Sequence, residues 1–301
     1  MQLTVILPCF NGAETIGVQL EALTRQDWPD GWEVVVVDNG STDASMDIVE
    51  RYRGRLPDLR IVEAYEPPGP RKGVAHSYTV GLAAARGDAF VFCEADDEVG
   101  EGWLHALGSA LRAHPFVAAA LEYERLNAPA LLAPGWRQQS VEAGLSTLAG
   151  PLFLPFASGC SLGLRREVYA LIGTPDLTCG ASWDTDYCWR AHRAHVPLTF
   201  VPSACVHYRL RSTLRASYQQ AMSWGRAHVV LAHKYAPTSS RVRLAKRAAS
   251  SAFDLVKQTT SVAKVATRRE SVRAWLWGMG WCIGELQGRA DQLDAMLRGA
   301  L

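Results

Sequence analysis

Apolar residues fall in two rhythms along the first 120 positions. Short continuous runs (Thr4-Val5-Ile6-Leu7, Glu33 to Val37, Arg60-Ile61-Val62 and Ala89 to Cys93) have the length and composition of buried strands. Between them lie segments of helical period. One covers 13–25 with Ile16, Leu20 and Leu23 on one face, one starts near 43, one covers 74–86 and one starts near 101. Strands separated by helix-length segments predict right-handed βαβ crossovers, and so an α/β fold with a mainly parallel sheet covered by helices on both faces. Ligands of such sheets bind beyond the carboxyl ends of the strands. Asp38 and the acidic cluster at 94–97 both sit at such ends, which puts two acidic sites on one edge.

The rhythm weakens over 125–182, a stretch rich in Gly, Pro and Ser. There "FASGCSLGLRREVY" (156–169) reads as a small-residue loop leading into a short helix. Residues 184–195 read as a helix, Leu198 to Val201 as a strand, and the chain beyond 215 as helical with a break near Pro237. These changes divide the chain into an α/β half over 1–120, a second half over 121–212 and a helical extension over 213–301.

At 301 residues and 48% hydrophobic, the chain can bury a substantial core. No stretch reaches the roughly 20 apolar residues of a membrane span. The N-terminus enters a strand without the basic and apolar regions of a signal peptide. Seven scattered cysteines, with no CxxC spacing, suit reduced thiols and a cytoplasmic location rather than a disulfide framework.

The net charge of +1 conceals an asymmetry: of 31 Lys/Arg and 30 Asp/Glu, sixteen and five respectively fall from Arg209 onward. A basic helical tail points to an anionic partner, a membrane surface or phosphate rather than nucleic acid. Its cations, from Arg241 through Lys246, Lys257, Lys264, Arg268 and Arg269 to Arg273, precede Trp275, Trp277 and Trp281. That combination suits peripheral contact with the anionic inner face of a membrane. The competing reading is an ordinary helical appendage that packs its tryptophans on the catalytic part or on a second copy of the chain, as a homo-oligomer, with its cations merely solvated.

Four places carry candidate chemistry. In "VVVVDNGSTD" (34–43), Asp38 ends a strand before a tight turn; it is either a turn residue or an acceptor for a base imide or ribose hydroxyl. In "CEADD" (93–97), Glu94, Asp96 and Asp97 crowd one short loop. Adjacent carboxylates repel, so the loop is either solvated or neutralised by a divalent cation with hard oxygen ligands, its remaining positions open to water and phosphate. In "SWDTDYCWRAHRAH" (182–195), Asp184 and Asp186 suit the N-terminus of a helix, and the aromatic neighbours Trp183, Tyr187 and Trp189 give Asp184 a partly dry setting. His207, in "VHYRLR", is structural or a ligand.

Taken in order, "VILPCFNGAETIGVQLEAL", "VVVVDNGSTDAS", "GLAAARGDAFVFCEADD", "ASGCSLGLRREVYALIG" and "WDTDYCWRAHRAHVPLTFVPSACVHYR" resemble the successive motifs of family 2 inverting glycosyltransferases over roughly residues 3–210. The resemblance implies a GT-A fold with a nucleotide-sugar-binding half and an acceptor-binding half. Pro8, Phe10 and Glu14 would then line the nucleotide pocket and Asp38 would meet the base or its ribose. Asp96 would face ribose and metal, Asp97 would hold the metal, Asp184 would be the catalytic base, and His207 would lie near the diphosphate and metal. The implied cofactor is Mn²⁺ or Mg²⁺, the donor a nucleotide sugar, and the acceptor a hydroxyl of a glycan, a lipid-linked saccharide or a small molecule.

Three positions depart from the family pattern. Glu94 stands for the first acid of the acidic motif, Trp183 for the acidic neighbour of the base, and Tyr78-Thr79 for a frequent Arg-Asn. A non-catalytic sugar-nucleotide-binding or scaffold protein on the same fold is the alternative. A nucleotidyltransferase is disfavoured, because "PCFNGAET" after the first strand lacks a basic, Gly-rich phosphate loop.

Overall fold

The computed structural model describes residues 1–132, 138–148, 154–237, 241–267 and 271–298. The chain forms two compact units, Met1–Leu177 with Trp183–Arg209, and Thr178–Ser182 with Leu210–Leu301.

The first unit begins as the alternation of apolar runs predicts: β1 (Leu3–Cys9), α1 (Ile16–Thr24), β2 (Trp32–Asp38), α2 (Ser45–Glu50), β3 (Leu59–Glu63), α3 (Gly73–Ala84) and β4 (Ala89–Phe92). Then come β5 (Glu98–Val99), α4 (Trp103–Ala113), β6 (Phe116–Glu122), the short pair β7 (Ser146–Thr147) and β8 (Pro155–Phe156), β9 (Leu162–Arg165), α5 (Arg166–Ile172), α6 (Trp183–Arg193) and β10 (Thr199–His207). One eight-stranded sheet has the order β3-β2-β1-β4-β9-β6-β10-β5. Strands β3, β2, β1 and β4 are parallel, β9 runs against both β4 and β6, and β10 is parallel to β6.

Every residue of β1, β2 and β4 is buried, as strands covered on both faces require. Among the polar exceptions, Thr4, Glu33 and Asp38, the carboxylate of Glu33 is fully enclosed and paired. It accepts from Arg60 Nη2 at 2.6 Å, Thr4 Oγ1 at 2.8 Å and the Arg86 N–H at 2.6 Å. Two of the longer strands were not legible in the pattern, nor were the two-residue β5, β7 and β8. The three alanines of β6 favour a helix, and β9 is four residues long within a stretch that reads as loop. Gly163 makes β9 possible, since a side chain there would meet Val117 and Val91 at 3.0 and 3.3 Å. The strand expected at 198–201 continues to His207 through an irregularity between Val201 and Cys205.

The second unit is helical: α7 (Leu214–Tyr235), α8 (Arg241–Thr260), α9 (Val262–Ala266) and α10 (Val272–Leu297). Helix α7 ends just before Pro237, where the break is expected. Helices α7 and α10 approach until backbone meets backbone: a Cβ on Gly284 would lie 2.0 Å from the Met222 carbonyl oxygen, and one on Gly225 would lie 2.3 Å from that of Trp281. The three tail tryptophans are engaged inside this unit. Trp275 donates to the Gln258 carbonyl at 3.0 Å, Trp277 meets Trp224 edge-on at 5.5 Å, and Trp281 lies against His228. Arg268, Arg269 and Glu270 lie outside the described residues.

Candidate active site

Strands β1 and β2 end in register, Cys9 beside Asp38. The two loops that leave them are stitched together. Asn11 Oδ1 accepts from the Thr42 N–H at 2.8 Å, Ser45 Oγ from the Gly12 N–H at 2.8 Å, and Asp43 from the Ala13 N–H at 3.0 Å. Asp38 is buried and turns the chain by accepting the Ser41 N–H at 2.9 Å, with Gly40 at φ +76° where a side chain would strike Tyr65. Pro8 is buried in β1 beside Val37, Phe10 is half exposed and Glu14 is exposed.

Arg71 joins this corner. Its guanidinium lies 4.3 Å from the Phe10 ring centroid and 5.0 Å from that of Tyr65, and it donates to the carbonyls of Asn39 and Gly40 at 3.1 and 2.8 Å. In the sequence, Arg71 and Lys72 of "PPGPRKG" read as cations of a surface loop that could touch phosphate; no local pattern announces a planar cation set against two rings.

Beyond β4 the acidic loop is held from below. Gln19 of α1 donates to the Glu94 carbonyl at 3.0 Å and accepts the Val99 N–H at 2.8 Å, and the buried Tyr78 hydroxyl donates to the Cys93 carbonyl at 3.2 Å. One carboxylate oxygen from each of Glu94, Asp96 and Asp97 lies within 4.8 Å of the others. Arg209 closes the loop, its N–H donating to Asp97 Oδ1 at 2.8 Å and its Nε to the Asp96 carbonyl at 2.6 Å.

Burial first, and then the charges of Asp97 and Glu94, push the Cys93 thiol well above its ordinary value. For Cys160 the causes are the same, and the Tyr208 phenol is likewise raised by burial and by Asp97. These two thiols and this phenol therefore stay neutral beside the three carboxylates. Three convergent hard oxygen donors suit Mg²⁺ or Mn²⁺. His207, the last residue of β10, places Nδ1 2.5 Å from Glu122 Oε2 and pairs across the strand with Glu98; it is not a member of the three-carboxylate cluster.

Asp184 opens α6. Its Oδ2 accepts the Gly159 N–H at 3.0 Å and its Oδ1 the Thr185 N–H at 2.7 Å. Burial pushes this carboxyl up to about 6, while the Thr185 and Gly159 N–H bonds pull the other way. Asp186, two residues on, is wholly buried against Arg190 Nε at 2.8 Å, as a residue that ties down its own helix.

Trp183 turns into the core, with ring centroids 4.9 Å from Tyr78, 6.5 Å from Phe92 and 6.4 Å from Tyr187. Gly159 is the only size that fits beside it, because a Cβ there would lie 2.3 Å from the indole. Sequence reasoning missed Gly159, Gln19 and the two bonds of Arg209. Only Arg209 left a signal, as a cation two residues beyond a strand end that carries a candidate ligand.

The family model described as "Glycosyl transferase family 2" matches residues 4–172. The chain belongs to that family. Among curated relatives, the poly(ribitol-phosphate) beta-N-acetylglucosaminyltransferase TarS of Staphylococcus aureus is 33% identical over 115 residues, covering 38% of this chain and 19% of TarS. The cholesterol galactosyltransferase of Borreliella burgdorferi is 28% identical over 112 residues, covering 37% of this chain and 30% of its own. The chain thus spans less than a third of the length of either relative.

Among solved structures, the mannosyltransferase PcManGT of Pyrobaculum calidifontis, in complex with GDP-Man and Mn²⁺, superposes with a TM-score of 0.60 at 21% identity. That likeness covers 96% of this chain and 87% of PcManGT. TarS 1-349 of S. aureus in complex with UDP-GlcNAc gives 0.55 at 18% identity, over 97% and 92%. These likenesses establish the GT-A fold for this glycosyl transferase family 2 chain.

Proposed function

We propose that this chain is a metal-dependent inverting glycosyltransferase that moves a sugar from a nucleotide-sugar donor to an acceptor hydroxyl. The observation that carries the reading is Asp184, a carboxylate raised to about 6 yet oriented by two backbone donors, in the same unit as the convergent Glu94, Asp96 and Asp97. The Mn²⁺- and GDP-Man-bound neighbour and the family match support it.

In this reading residues 1–120 hold the donor and 121–212 the acceptor. Phe10, with Arg71 layered on it, offers a face for the base, flanked by Pro8 and Glu14, and Asp38 accepts from base or ribose. Asp96 and Asp97, with Glu94 beside them, would hold Mn²⁺ or Mg²⁺, which when bound neutralises charge on the diphosphate leaving group. A hydrogen bond donated by His207 Nδ1–H to Glu122 would leave Nε2 as the nitrogen available to the diphosphate or metal. Asp184 takes the proton of the acceptor hydroxyl as that oxygen attacks the anomeric carbon from the face opposite the leaving group. A single displacement needs one base and inverts the centre.

The second reading, a sugar-nucleotide-binding protein without catalysis, rests on Trp183 and Tyr78, where the family pattern carries charge. Incubating the protein with UDP- and GDP-sugars, with Mn²⁺ or with chelator, and following nucleoside diphosphate release separates the two. Binding of a donor without its consumption, in the presence of glycan and lipid-linked acceptors, favours the second.

A further inference from the structure

Helix α8 presents two unlike faces. Toward α10, Ser251 is buried and accepts from Arg289 Nε at 2.8 Å, and Gln258 exchanges hydrogen bonds with Trp275. On the opposite face Phe253 is 68% and Val256 60% exposed, and at helical spacing their neighbours are Ala249, Lys246 and Lys257, all exposed. On α9, Val262 is half exposed and Lys264 is exposed. Asp254 is the sole acid between 241 and 266.

We infer that this face of α8 docks on the surface of an anionic lipid bilayer. The inference stands apart from the transferase reading. Phenylalanine and valine in water are a cost unless something apolar covers them. The lysines beside them choose the cover: a second protein chain packed on Phe253 would have to take their charge into the interface, where lysine is depleted. At a bilayer the two demands are compatible. The apolar side chains enter the acyl boundary while the ammonium groups reach up to headgroup phosphates. Among the described residues no helix is long and apolar enough to cross a membrane, so the contact is peripheral. The tail tryptophans, engaged within the helical unit, are not its anchors.

Co-sedimentation of the full chain with phosphatidylcholine vesicles, with and without phosphatidylglycerol, tests this without any donor or acceptor. Binding is expected only with phosphatidylglycerol, and it should weaken as salt rises. The exposed double variant Phe253→Ser/Val256→Ser, checked for unchanged thermal unfolding, should partition about tenfold less or weaker. Lys246→Gln/Lys257→Gln should lose about fivefold per charge. Equal binding to neutral vesicles, binding indifferent to Phe253→Ser/Val256→Ser, or no vesicle binding together with a dimer in sedimentation velocity would each overturn the inference. Because turnover is not read, failure here leaves the transferase reading standing, and the reverse also holds.

Discussion

The rings of Tyr78 and Trp183 lie 4.9 Å apart, one on α3 and one at the start of α6. Both stand where the family pattern carries a charged residue, and in the fold they meet. An aromatic pair thus stands at two positions where the resemblance implies charged residues. Desolvated ions at such a site gain little over well-packed apolar groups. The pair also links two parts of the candidate site, since Tyr78 bonds the Cys93 carbonyl before the acidic loop and Trp183 precedes Asp184.

Trp183→Ala should cost about 3–5 kcal/mol of stability, read from urea unfolding, because the indole is almost fully buried. Water admitted beside Asp184 should also move the acid limb of any turnover profile to lower pH, since burial is the main cause of its raised pKa.

Gly159→Ala should destabilise by about 1–3 kcal/mol, because the added methyl must displace the Trp183 ring. The same shift would disturb the N–H that orients Asp184, so turnover should fall further than the stability loss alone explains.

Asp184 accepts a proton only when ionised, so turnover should fall about tenfold per pH unit below about 6. The effect on stability has the matching sign. The folded value lies above the ordinary 3.8, so the folded state holds the proton longer, and stability falls as pH rises from about 4 to 6. Asp184→Asn removes this term, and unfolding curves of the two proteins should diverge across that window and converge below it.

Glu33 should behave in the opposite way. Burial acts to raise its carboxyl, but the bonds from Arg60, the Arg86 N–H and Thr4 outweigh it and leave the group below the ordinary 4.5. Its contribution is complete above the unfolded value of about 4.3 and is lost as pH falls through the folded one. Glu33→Gln should lose about 1–3 kcal/mol at neutral pH, with the difference closing in acid.

The parallel part of the sheet was legible because β1, β2 and β4 are nearly continuous apolar runs, as strands buried on both faces require. The antiparallel β9 and the alanine-rich β6 were not, because their strand character comes from neighbours distant in sequence. The family was legible from five ordered motifs, and the family match bears it out. What no local pattern carries is the arrangement of the site: Arg71 layered on Phe10, Arg209 locking the acidic loop, and the indole of Trp183 turned inward, so that backbone N–H groups rather than a second acid orient Asp184.

The most direct test compares wild type with Asp184→Asn and Asp97→Asn in Mn²⁺, measuring donor affinity by calorimetry and nucleoside diphosphate release on the same samples. Asp184→Asn should bind the donor as wild type does and turn over about 10²- to 10⁴-fold more slowly. Asp97→Asn should lose turnover together with the metal dependence of donor binding. Turnover by Asp184→Asn at the wild-type rate, or equal loss of donor affinity and rate in that variant, would contradict the assignment of Asp184 as the base.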